Sequence, residues 1–158
     1  MVEKTGYSGA QIGLHWLIAL GVLANYLFSE GMGKALHQKM EGAEITVAIA
    51  PLHVWLGVAV LVLVALRLVL RLLQGAPAQE PGAQGRLAAG MHGLLYLLML
   101  AMPLGGALTW FGGIEALGDG HALAANLLML LAGLHAVMGL YHHYVLKDGT
   151  LKRMMRPA

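Results

Sequence analysis

The sequence contains no cysteine. Disulfides, iron–sulfur ligation, thiolate-bound zinc and covalent haem attachment through a Cys-x-x-Cys-His motif are therefore excluded. The redox compartment stays unassigned. Charge is scarce as well. Only 11% of residues are Asp, Glu, Lys or Arg, where soluble domains carry about a quarter. Much of the surface therefore does not face water. The net charge is +2 and aromatics make up 6%, so no nucleic-acid surface is offered. There is no internal repeat, and the length fits a single domain over residues 1–158.

Hydrophobic residues make up 58% of the chain. They gather in four runs, residues 12–28, 49–73, 87–111 and 121–146. A hydrocarbon core of ~30 Å takes roughly 20 residues of helix to cross. Backbone groups in lipid must be satisfied internally, so each run is expected to be a helix. The expected fold is all-α, a four-transmembrane-helix bundle. Pro103 should kink the third helix, with Gly105 and Gly106 allowing close packing there. The first run is read as a mature helix rather than a signal peptide. It lacks a clear small-x-small cleavage site before a soluble domain, and three further runs follow.

The connections are short. Residues 29–48 mix Glu30, Lys34, Lys39, Glu41 and Glu44. Residues 74–86 hold Pro77 and Pro81 and read as an irregular loop. Residues 112–120 are glycine-rich, with Glu115 and Asp119 but no basic residue. One side of the membrane would carry Lys4, Arg67, Arg71, Arg86, Lys147, Lys152, Arg153 and Arg156, the other only Lys34 and Lys39. This asymmetry puts both termini and the middle loop in the cytoplasm.

The eight histidines are the unusual feature. Ionisable side chains are costly in a bilayer unless paired or ligated. His15 lies near the cytoplasmic start of the first run, and His53 near the outer start of the second. His121 begins the fourth run and His135 lies deeper in it, fourteen residues on. On a helix that spacing leaves them ~40° apart around the axis and ~21 Å apart along it. The offset suits two stacked haems, one toward each surface. His53 is placed to partner His121, and His15 to partner His135. Two imidazoles per iron leave no open site for oxygen and suit electron transfer. A lone histidine at a helix end is more often interfacial than ligating. The case rests on four at matched depths on three helices.

His92 and His142 remain alternatives for the inner ligand. Either could instead meet a haem propionate or a quinone. His143 is as well explained by the interface alone, and His37 by solvent. Arg67 lies fourteen residues after His53 and Arg71 eighteen, so both fall on the His53 face at the cytoplasmic end. Arg67 is assigned to propionates through charge-assisted hydrogen bonds, and Arg71 to snorkelling.

Several stretches resemble the prokaryotic cytochrome b561 family. They are Leu14-His15-Trp16-Leu17, Leu52-His53, Met91-His92-Gly93 and Gly133-Leu134-His135. The closing segment adds His142-His143-Tyr144, Lys147-Asp148-Gly149-Thr150-Leu151 and Arg153-Met154-Met155. The resemblance covers nearly the whole chain and is close to the superoxide oxidase branch. It implies a multi-pass protein of the bacterial inner membrane with two haems b. His15 and His135 would ligate the inner haem, and His53 and His121 the outer. Electrons would pass from periplasmic superoxide to ubiquinone, with His142 near bound quinone. The sequence departs from that branch in residues 74–85, which hold Glu80 but no lysine. Arg86 is the nearby cation left to help bind quinone.

Three functions compete at this level: a superoxide-oxidising, quinone-reducing enzyme; an electron-transfer or anchor subunit serving a partner redox protein; and a haem-free helical protein. The oligomeric state is left between monomer and homodimer.

Overall fold

A computed structural model describes residues 6–75, 77 and 82–157. Lys4, Glu80 and Pro81 lie outside these. Five α-helices run in the order α1 (Gly9–Leu27), α2 (Met32–Met40), α3 (Ala50–Gln74), α4 (Ala83–Gly112) and α5 (Leu117–Tyr141). A π-helical turn, His142–Leu146, continues α5, and a 3₁₀ turn, Lys152–Met154, lies near the end. The described residues contain no strand. Four helices are long and apolar enough to cross a membrane: α1, α3, α4, and α5 with its π turn. These are the four runs expected from the sequence.

Helix boundaries shift by several residues, and two of the differences bear on the site. Residues 29–48 are not wholly a loop, because α2 forms inside them. Ala35 on α2 is fully buried, and Leu36 comes against Gly118 at the start of α5. Gln38 ties the following segment back by accepting from the Thr46 amide at 3.1 Å. In nine residues with two lysines, the apolar contacts are too few to stand out from the charges. The second difference is that α4 begins at Ala83, so Arg86 sits in its first turn rather than in a loop. Pro103 lies inside α4 without ending it.

The principal packing runs from α1 to α3, α3 to α4 and α4 to α5. The buried core is small: Ile18, Val60 and Val64, with Leu14, Val22, Leu63, Tyr96, Met99 and Leu100 against it. Gly21 faces Val60 so closely that a Cβ would stand 2.9 Å from its methyl. The α1–α3 contact therefore depends on that glycine.

One end of the bundle, here the proximal end, holds the start of α1, the end of α3 and the closing tail. Ser8 caps α1 in a capping box with Gln11. The Ser8 hydroxyl also donates to Gln74 Oε1 at 2.7 Å, and Gln11 Nε2 donates to the Gly75 carbonyl at 3.0 Å. These bonds fix the register of α1 against α3, and with it the height of His15 relative to Arg67. At the opposite, distal end lie α2, the start of α3 and the start of α5.

Candidate functional site

Four of the half-buried histidines form two pairs between helices. At the distal end, the rings of His53 on α3 and His121 on α5 have centroids 6.2 Å apart, with planes at 82°. At the proximal end, His15 on α1 and His135 on α5 are 6.3 Å apart at 79°. Neither pair joins helices that carry the principal backbone packing.

The two separations fit a specific occupant. A metal–imidazole bond of about 2.0–2.1 Å, with the ring centre about 1.1 Å beyond the nitrogen, separates two trans imidazole centroids by about 6.3 Å. Both pairs match. Among the described residues, no group of three or more His, Asp or Glu side chains comes together as a metal site. Each pair could supply two imidazole nitrogens to the iron of a bound porphyrin, which would provide the remaining ligands itself.

The distal pair is also fixed in tautomer. His53 Nδ1 donates to the Asn25 carbonyl at 3.1 Å, and His121 Nδ1 donates to the Met102 carbonyl at 2.8 Å. A carbonyl oxygen only accepts, so Nδ1 carries the proton in both rings. The lone pair then lies on Nε2, the nitrogen free to bind a metal. Gly106 on α4 makes room for this arrangement. A Cβ there would fall 2.7 Å from His121 Cε1 and 2.8 Å from Nδ1.

His92 on α4 approaches the proximal pair, with its ring centroid 5.2 Å from that of His135. This is about 1 Å shorter than a trans arrangement through one metal allows. Nearby on α3, Arg67 and Arg71 both lie over the Tyr96 ring, 5.6 Å and 5.8 Å from its centroid. Arg71 was expected to snorkel. Its place four residues from Arg67 instead brings both guanidiniums to one ring. Among the described residues neither arginine pairs with a carboxylate. The Tyr96 hydroxyl is buried without a hydrogen-bond partner. Tyr7, Gln11, Arg67, Arg71 and Tyr96 together line a narrow cleft. Two cations and an orphaned hydroxyl beside the proximal pair suit a carboxylate group such as a propionate.

The other candidates lie apart. Arg86 is exposed and lines neither this cleft nor the open pocket at the tail. His142 opens the π turn, and its Nδ1 donates to Asp148 Oδ2 at 2.5 Å. His143 lines the open pocket with Tyr144, Lys147, Gly149 and Lys152. His37 is exposed and pairs with Glu41 at 3.3 Å, one turn along α2.

Residues 6–157 match the family model described as Prokaryotic cytochrome b561. The chain belongs to the prokaryotic cytochrome b561 family. Cytochromes b561 are membrane electron-transfer proteins that bind haem b. A curated relative from Cereibacter sphaeroides named "Cytochrome b562" is 46% identical over 99% of both chains. The Yersinia pestis protein named "Probable superoxide oxidase CybB" is 34% identical over 94% of this chain and 95% of its own. "Cytochrome b561 homolog 1" of Escherichia coli is 32% identical over 94% and 96%.

Four features escaped sequence reasoning. The carbonyls of Asn25 and Met102 carry no side-chain signature. Tyr96 is one aromatic in an apolar run. Asp148 belongs to a stretch singled out only by resemblance.

Proposed function

We propose that this cytochrome b561 holds two haems b and carries electrons across the membrane from superoxide to a quinone. His53 and His121 would hold the distal haem, and His15 and His135 the proximal one. The observation that carries this reading is the matched separation, 6.2 Å and 6.3 Å, of two pairs that each take one histidine from α5. Bound haem supplies a one-electron couple at each site. Two imidazoles per iron exclude oxygen from the coordination sphere and favour electron transfer over oxygen activation.

The residues of the chain then divide the work. Arg67 and Arg71, with Tyr96, neutralise the propionates of the proximal haem. His142, beyond His135 along the same helix, meets the quinone and supplies a proton. Each superoxide gives up one electron and becomes dioxygen. Two electrons and two protons convert one quinone to quinol. The basic residues of the tail support a cytoplasmic position for the proximal end, in a bacterial inner membrane. Superoxide would then reach the distal end from the periplasm. Lys34 and Lys39 give that end only a weak attraction for an anion. The substrate assignment is supported by similarity to the relative named as a superoxide oxidase.

A reduced-minus-oxidised spectrum with haem quantification tests the first part. Two haems b per chain are expected, and a colourless protein overturns it. Stopped-flow mixing with superoxide tests the second. Haem reduction faster than uncatalysed dismutation is expected. Without it the substrate assignment falls, and a protein electron donor takes its place, to be sought by co-purification with a large redox subunit.

A further inference from the structure

The closing segment leaves α5 by an unusual path. After the π turn, Lys147 adopts φ 53° and ψ 31°. Among the described residues it is the only non-glycine with positive φ. Side chains seldom take this conformation unless surrounding contacts impose it, and π turns in helices often mark functional sites. The result here is a sharp reversal. It brings Asp148 back to the ring of His142, six residues earlier, where the carboxylate accepts from Nδ1 at 2.5 Å.

The carboxylate is itself held in place. Asp148 Oδ1 accepts from the Thr150 amide at 2.9 Å. Arg153 Nη2 donates to the Thr150 hydroxyl at 3.4 Å. One residue on, the Met154 carbonyl accepts from Trp16 Nε1 at 2.9 Å. Trp16 also packs edge-on against His15, with centroids 5.4 Å apart. The tail is thus anchored to α1 beside the proximal pair, and the anchored tail aims Asp148 at His142. A simple helix stop would need the turn but not a carboxylate on an imidazole.

We propose that Asp148 is a positioning residue for His142 in quinone reduction. This rests on the quinone-side role of His142 proposed above. Asp148 holds the proton on Nδ1 and turns Nε2 toward the quinone oxygen. When quinone takes up two electrons, one from each bound haem, the Nε2–H bond of His142 would break and an O–H bond would form on the quinone. The neutral imidazole is then reprotonated from interfacial water, which also supplies the second proton.

The test uses the haem-loaded protein, reduced beforehand with dithionite and mixed with ubiquinone-1, so that no superoxide is involved. Asp148→Ala should keep both haems and slow the maximal rate of haem reoxidation by about tenfold, with half-saturation by quinone little changed. Asp148→Asn, which keeps an oxygen for Nδ1–H, should fall between. Nitrogen-15 histidine spectra of the reduced, diamagnetic protein should show His142 protonated at Nδ1 in the wild type and as mixed tautomers in Asp148→Ala. Wild-type rates in Asp148→Ala with a slow His142→Ala overturn the proposal and leave the His142 role standing. Unchanged rates in His142→Ala overturn that underlying role. Loss of proximal haem in both Asp148 variants, or an unchanged tautomer, also overturns the proposal.

Discussion

The ring of His15 stands 6.3 Å from that of His135, while the ring of His92 stands 5.2 Å from it. Only the first distance leaves room for an iron between two nitrogens. His15→Ala and His135→Ala are therefore expected to lose the proximal haem and keep the distal one. His53→Ala and His121→Ala should do the opposite, and His92→Ala should keep both. Haem quantification with low-temperature α-band spectra separates the two sites. Loss of a haem in His92→Ala together with retention in His15→Ala would reverse the proximal assignment.

Gly106 offers a test that leaves every ligand intact. A methyl group there would press on the His121 ring at 2.7–2.8 Å, against the same Nδ1 that is held by the Met102 carbonyl one turn earlier on α4. Overpacking of this kind costs about 1–3 kcal/mol. Haem affinity at the distal site of Gly106→Ala should fall by roughly five- to 150-fold, at tenfold per 1.4 kcal/mol. Gly105→Ala is the control, since a Cβ there meets nothing within 4 Å. Haem titration of the two variants should differ at the distal site alone.

Arg67 and Arg71 bring two positive charges to one cleft. Positive charge near a haem favours the reduced state. Arg67→Gln is expected to lower the midpoint potential of the proximal haem. A lost interaction of about 1 kcal/mol corresponds to roughly 40 mV for one electron, from ~59 mV per tenfold. Arg71→Gln should act in the same direction, and the distal potential should move much less. Potentiometric titration gives both values. A proximal potential unmoved in the double variant would remove the arginines from the propionate role.

The Asp148 carboxyl is lowered from 3.8 to about 2, first by the hydrogen bond from His142 and then by that from the Thr150 amide. Its charged form is therefore the one the folded chain favours. The contribution is full above pH ~4 and fades as pH falls toward 2. Between pH 8 and 5 it should not change. Pepsin digestion checks this, because it works in the acid range. The tail of the wild type should be cut more slowly than that of Asp148→Asn at pH 4, and equally fast at pH 2.

The spans and the pairing of the histidines could be read before any coordinates. Each span is a long apolar run, and helix pitch puts His121 and His135 on one face at two depths. What stayed hidden depended on contacts between elements. Residues 32–40 read as a charged connection, yet they form α2 once Ala35 and Leu36 find apolar neighbours. Gly105 and Gly106 were equivalent in the sequence, but only Gly106 lies under an imidazole. Arg71 read as a lipid-facing cation until Tyr96 was found beneath both arginines. Arg86, which read as part of a loop, stands exposed in the first turn of α4.

One helix supplies a histidine to each pair. Along α5 the fourteen residues from His121 to His135 amount to ~21 Å at the pitch of an α-helix. That length is a ruler cut into the backbone, and side-chain substitutions along α5 leave it unchanged. Adding or removing one residue between the two histidines would instead turn one of them by ~100° around the axis. The distance between the two histidine pairs is thus set by residue count.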